Sequence, residues 1–269
     1  MKLAASNIGL PSFDHGSELI ALAKLGLQGI EIAPSRVWKD TWHGLVSSDV
    51  TAYRKEIEDA GLDVVGLHSL FYDQPELGLF RDIRTRVQTL DFMEHLSKLC
   101  RDLGGKTLTY GGGRKRGELP LEDAFAEAEA FFSELIPRIE NHGTVFCFEP
   151  LAPQDSDFIN SVYDSMRLVK TLNHPSLRVQ LDAKALVTTG ELSKNVFTDA
   201  APYLVHVHAN EPDLGVLGTS GNINHQTMAH FLNETDYDGY VSIEQKMIGE
   251  DAPLVALSQS INVLKEYYS

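Results

Sequence analysis

The stretch Val145-Phe146-Cys147-Phe148-Glu149-Pro150 reads as a short buried strand that ends on a carboxylate and is stopped by proline. The same shape recurs downstream. Val179-Gln180-Leu181-Asp182, Val205-His206-Val207-His208 and Val241-Ser242-Ile243-Glu244 each finish an apolar-alternating run on a side chain able to bind a cation. Each step between successive ends is near the length of one strand–helix unit, about 30 residues. Alternate residues of a strand face opposite sides. If Glu149 points inward, so do Cys147 and Val145, while Phe146 and Phe148 point outward. The same parity puts Gln180 inward with Asp182, His206 with His208, and Ser242 with Glu244. One rule therefore serves four strands: apolar outside, polar inside, a metal-competent group at the carboxyl end.

Working outward, strands are expected over 3–8, 29–33, 63–68, 106–110, 145–150 and 177–182, in a seventh run ending at His208, and over 240–244. Helices are expected over 17–25, from a Ser48 cap to Gly61, and over 81–103, 120–141, 161–172, 183–200, 225–235 and 253–267. Strands alternate with helices throughout, which implies a parallel sheet with right-handed crossovers. Eight such units in 269 residues suit a closed (β/α)8 TIM barrel, usually about 250 residues long. The expectation is one domain over 1–269, with no linker. An open nucleotide-binding sheet would carry G-x-G-x-x-G after the first strand, where Gly9-Leu10-Pro11 stands instead.

A net charge of -15 argues against nucleic acid and anionic membrane partners, since phosphate binding needs Lys and Arg to displace counterions. Cys100 and Cys147 are too few for a disulfide framework or a four-thiolate metal site. The N-terminal run breaks at Asn7, too early for a signal peptide, and no apolar run is long enough to span a bilayer. A cytoplasmic protein is the expectation.

Glu149, Asp182, His208 and Glu244 are expected to meet around one divalent cation. Three clustered carboxylates repel one another unless a cation sits between them. The alternative is that they cap strand ends in solvent or pair with Lys and Arg. Three oxygens and one imidazole suit Mn²⁺, the first expectation, and also Mg²⁺, Co²⁺ or Zn²⁺. A cation holding a carbonyl and its neighbouring hydroxyl would stabilise an enediolate. A carboxylate beside it could then move the proton α to the carbonyl. Return to the opposite face gives an epimer, return to the next carbon an aldose–ketose pair, and loss of a β-group an elimination.

Weaker candidates surround that set. His68 ends the third strand inward and fits a satisfied core histidine or a substrate contact. Glu31 ends the second strand inward and fits a substrate contact or a salt bridge. Lys246 has the parity to face the pocket, against a solvated surface position. His206, one layer below, could orient a ligand or simply bond Gln180 or Ser242. Trp38 and Trp42 could wall a sugar ring or pack their loop. The run Arg114-Lys115-Arg116 could bind an anion or stay solvated, and lacks the Gly-Lys-Ser/Thr element of a phosphate loop.

Phe148-Glu149-Pro150-Leu151, Asp157-Phe158-Ile159-Asn160, Gln180-Leu181-Asp182, His206-Val207-His208-Ala209-Asn210 and Ser242-Ile243-Glu244 together resemble the xylose-isomerase-like barrel superfamily of sugar isomerases and epimerases. The likeness covers essentially the whole chain and is strongest from Phe146 to Glu244. It implies a small carbohydrate substrate, proton transfer by Glu149 and Glu244, and room for a homo-oligomer. It places Asp155 where ketose 3-epimerases have a substrate-contacting glutamate. Ala185 and Leu214 stand where those epimerases tend to have histidine and arginine, so the resemblance does not carry a particular sugar. A metal-dependent dehydratase of a sugar or cyclitol is the alternative on the same scaffold. Endonucleases of abasic DNA share the fold, but Tyr110 and Ala185 replace two histidines expected of their richer zinc site. A non-catalytic sugar-binding barrel is a further rival.

Overall fold

Eight parallel strands close on themselves in chain order in a computed structural model that describes residues 1–249 and 252–269. They are β1 Lys2–Ser6, β2 Gly29–Ile32, β3 Asp63–Leu67, β4 Thr107–Tyr110, β5 Val145–Phe148, β6 Leu177–Asp182, β7 Leu204–Ala209 and β8 Tyr240–Ile243. β8 returns to β1 with Lys2 opposite Tyr240 and Leu3 opposite Val241, which leaves no free edge. The expected (β/α)8 TIM barrel is the observed fold.

The helices are α1 Gly16–Lys24, α2 Ser47–Ala60, α3 Ile83–Leu103, α4 Leu121–Ile139, α5 Val162–Leu172, α6 Ala183–Thr188, α7 Lys194–Ala200, α8 His225–Glu234 and α9 Pro253–Tyr268. Local chemistry sets their ends. α2 and α3 stop where Gly61 and Gly104 turn left-handed, at φ of 85° and 90°, a conformation glycine adopts without a Cβ penalty. α5 opens on a capping box between Ser161 and Asp164.

Two expectations need correction. The single helix over 183–200 is two helices. Gly190, at φ 71°, ends α6, and the Glu191 N–H bonds back to the Leu186 carbonyl at 2.7 Å. The released Glu191 carboxylate then accepts the Val162 N–H that opens α5. The first strand stops at Ser6, because the Ser6 hydroxyl accepts the Ile8 N–H at 3.1 Å and folds Asn7–Gly9 into a 3₁₀ turn.

The parity rule holds. Phe146, Phe148, Val179, Leu181, Val207, Val241 and Ile243 are buried in the apolar core. Gln180, His206, Ser242 and Glu31 are buried too, yet polar, and lie inside the barrel. Among the described residues, no helix is long and apolar enough to cross a membrane.

Candidate metal centre

Donor atoms of Glu149, Asp182, His208 and Glu244 all lie within 4.8 Å of one another. His208 Nδ1 is 3.2 Å from Glu149 Oε1, 3.6 Å from Glu244 Oε2 and 3.9 Å from Asp182 Oδ2. The strands deliver these groups directly. Glu149 and Glu244 each sit one residue beyond a strand end, but the ladder continues through them. The Glu149 N–H reaches the Tyr110 carbonyl at 3.3 Å and the Glu244 N–H the Ala209 carbonyl at 3.0 Å. Strand parity therefore still aims both side chains inward.

Neighbours fix the carboxylates further. Asp182 ends β6 and also caps α6, with Oδ1 accepting the Ala185 N–H at 2.8 Å. Asn210 Nδ2 donates to Asp182 Oδ2 at 2.5 Å and to Glu244 Oε2 at 2.8 Å, while its Oδ1 accepts the Lys184 N–H at 2.9 Å. Gly111 clears the space beside Glu149: a Cβ there would sit 2.1 Å from Glu149 Oε2.

Among the described residues, these carboxylates have no lysine or arginine nitrogen within salt-bridge distance; their only ionisable partners are histidines. Pairing with Lys or Arg is thus not how the charge is balanced. Burial, then the Glu149 and Glu244 charges, push Asp182 up to about 7. Burial also disfavours ionised Glu244, but His208 and His68 outweigh it and hold that carboxyl down at about 2. His208 is raised well above the usual imidazole range: burial opposes its charge, and Glu31 and Glu244 overcome that. Such a metal-free cluster is frustrated. A divalent cation fits it, because it replaces the His208 Nδ1 proton and gives three mutually repelling carboxylates a common counter-charge.

A cavity of about 570 Å³ opens over the cluster at the carboxyl end of the barrel. Glu149 and Glu244 line it; Asp182 and His208 do not. His68 lines it as well, with Nε2 held 2.5 Å from Ser6 Oγ and Nδ1 3.7 Å from Glu244 Oε1. Asp155 reaches the rim, where Lys184 Nζ lies 3.2 Å from its Oδ2.

Other candidates fall elsewhere. Glu31 is fully buried beneath His208, 3.0 Å from its Nε2, and does not line the cavity. Among the described residues, Lys246 is exposed and does not line the cavity; its backbone N–H donates to the Leu214 carbonyl. Trp38 packs edge-on against Tyr53 and Trp42 packs at a tilt against Phe92, and neither lines the cavity; Phe71 and Leu151 supply apolar wall instead. The basic run is mostly structural. Arg114 is buried and donates to the carbonyls of Phe158, Tyr110, Glu149 and Ile159. Arg116 binds Asp157 through both backbone and guanidinium. Lys115 and Arg81 are the exposed cations that do line the cavity.

The role of Asn210 emerges only from the structure, although its spacing of two from His208 already predicts an inward side chain. Gly111 carried no signal, because a glycine-rich loop does not reveal which carboxylate it accommodates.

A closed parallel barrel with a carboxylate–histidine cluster at its carboxyl end is a (β/α)8 barrel with a candidate metal site. The model of the Xylose isomerase-like TIM barrel family matches residues 19–267, and the chain belongs to that family. A protein named "Putative hydroxypyruvate isomerase" from Danio rerio is 25% identical over 255 residues, covering 89% of this chain and 86% of the relative. A Xenopus laevis protein of the same name is 24% identical over 140 residues, about half (49%) of each chain. Among solved structures, D-psicose 3-epimerase from Clostridium cellulolyticum H10 superposes with a TM-score of 0.83 at 17% identity over 100% of both chains. A 3-keto-D-glucoside 4-epimerase from E. coli gives 0.80 at 19% identity over 99% of both. At these identities the superpositions establish the fold.

Proposed function

We propose that this protein is a divalent-metal-dependent isomerase or epimerase of a small keto-sugar or related hydroxy-ketone. One observation carries the reading. Of the four cation-site residues, the two on β6 and β7 are sealed behind the site, and the two glutamates alone face the cavity. Glu149, Asp182, His208 and Glu244 would hold the cation, with Mn²⁺ the first expectation. When bound, it supplies positive charge where a carbonyl oxygen and its neighbouring hydroxyl gain negative charge.

The remaining work falls to side chains. One of Glu149 and Glu244 takes the proton from the carbon α to the carbonyl, and the electron pair moves into the carbonyl. The other returns a proton to that carbon's opposite face, the electron pair coming back from the carbonyl oxygen, or to the former carbonyl carbon, in which case the α-hydroxyl passes its proton to the former carbonyl oxygen and becomes the new carbonyl. Asn210 keeps Asp182 and Glu244 apart and oriented. His68 bonds Ser6 and leans on Glu244 from the cavity wall, where a substrate hydroxyl can reach it. Asp155 offers a second hydroxyl contact at the rim.

Similarity to proteins named for hydroxypyruvate, psicose and keto-glucoside sets the test panel. ¹H NMR of hydroxypyruvate, several ketoses and keto-glycosides in D₂O, with Mn²⁺, should show solvent deuterium entering the carbon α to the carbonyl of one substrate, with chelator abolishing it. An unsaturated product would establish the dehydratase instead. No exchange on any member would remove the isomerase reading.

A further inference from the structure

Each cation-site residue of β6, β7 and β8 stands two residues above a buried polar one: Gln180 below Asp182, His206 below His208, Ser242 below Glu244. Under His208 this floor also receives Glu31 from β2, across the barrel. Glu31 is fully buried, and no water-facing role is open to it. Its Oε2 lies 3.0 Å from His208 Nε2, aligned to accept a hydrogen bond, and Oε1 lies 3.2 Å from the same nitrogen. Oε1 is also 3.0 Å from His206 Nε2. One carboxylate thus joins two histidines whose rings stand 5.0 Å apart and nearly perpendicular.

An imidazole has two nitrogens, and a neutral ring carries one proton. His208 Nδ1 faces Glu149, Asp182 and Glu244; Nε2 faces Glu31. We propose that Glu31 is a positioning residue: it accepts the Nε2–H of His208, fixes that tautomer and ring plane, and leaves the Nδ1 lone pair for the cation. This rests on the cation site proposed above. A histidine ligand whose other N–H meets a carboxylate is held in orientation and made more basic. Glu31 is held in turn by the Thr109 hydroxyl, which donates to its Oε1 at 3.4 Å, while His206 Nε2 lies close by without an aligned hydrogen bond, so its position is set within the barrel and not by substrate. Glu31, His206 and His208 could also be read as a second cation site. The well-aligned His208–Glu31 bond argues against that, because a cation there would have to displace its proton.

The test uses the intact chain stripped with chelator and titrated with Mn²⁺. Glu31→Gln, which keeps an acceptor of the same shape, should weaken Mn²⁺ binding about 10-fold, and Glu31→Ala about 100-fold, the range for loss of such a partner. On the active substrate, kcat should fall while KM measured at saturating Mn²⁺ stays near wild type. A separate readout needs no variant: ¹⁵N NMR of the Zn²⁺-loaded protein should show His208 protonated at Nε2 and ligated at Nδ1. Unchanged Mn²⁺ affinity in both variants, ligation through Nε2, or two cations per chain with one lost in Glu31→Gln would each overturn the assignment. Failure of the unaltered protein to bind any divalent cation would instead remove the metal centre itself, and the two failures are distinguishable.

Discussion

The two halves of the barrel divide the work. β5 to β8 end in Glu149, Asp182, His208 and Glu244, every group that would touch a cation. β1 to β4 end in groups that hold or make room for those four. Ser6 anchors His68, His68 flanks Glu244, Glu31 supports His208, and Gly111 leaves space for Glu149. The candidate cation site would thus be built by one half and positioned by the other. Sequence motifs advertise the task of the β5–β8 half far more openly than that of the β1–β4 half.

If that division is right, removing an acid–base group of the β5–β8 half should abolish chemistry, and altering the β1–β4 support should only loosen it. Glu149→Gln or Glu244→Gln should lower kcat by about 10² to 10⁴-fold, the usual worth of a positioned acid–base group. Deuterium exchange on the active substrate measures it. Gly111→Ala forces a methyl group against Glu149 Oε2. Overpacking of this kind costs about 1–3 kcal/mol, so titration should show Mn²⁺ binding weakened about tenfold with the fold retained by circular dichroism.

Asn210 belongs to the β5–β8 half but touches the carboxylates rather than the place where a cation would sit. Asn210→Ala removes two bonds to carboxylates, each worth about 1.5–3 kcal/mol in such settings. Much of that is offset once a cation neutralises them, so a three- to tenfold loss of Mn²⁺ affinity, on the order of 1 kcal/mol, is expected.

A bound cation would compete with protons for Asp182, whose carboxyl is pushed up to about 7, and for the raised His208. Both groups have folded values above their unfolded ones. Their contribution to the metal-free protein's stability is therefore present at low pH and lost as pH rises through those values. The cation reverses that loss. The gain in Tm on adding Mn²⁺ should accordingly grow from pH 5.5 to pH 8. Buried histidines shifted the other way, such as His15 and His225, cancel in that difference. A gain independent of pH would separate the cation from Asp182 and His208. The smallest effect belongs to Lys246→Ala: an exposed side chain outside the cavity should leave kcat/KM within about twofold, in line with surface substitutions of ±0.5 kcal/mol.

The cation-binding half was legible because it needed only strand identity and a period of two. Once 145–150 was read as a strand, the inward register of Glu149 followed, and three repeats of the pattern fixed the rest. Loops and supports obey no period. Trp38 and Trp42 were open as pocket walls because nothing local says which way a loop turns. Arg114 looked like a surface charge because four backbone carbonyls waiting to be satisfied leave no trace in a sequence. Glu31 had the right parity, but its partner lies across the barrel on β7, a contact only closure creates. The split of α6 from α7 was readable at Thr188-Thr189-Gly190, where two β-branched residues precede a left-handed glycine.

Crystals grown with Mn²⁺ and measured for anomalous scattering test the central claim most directly. One strong peak per chain, bonded by Glu149, Asp182, His208 and Glu244, is the expected result. A peak seated elsewhere, or none at saturating Mn²⁺ with those side chains well ordered, would contradict it.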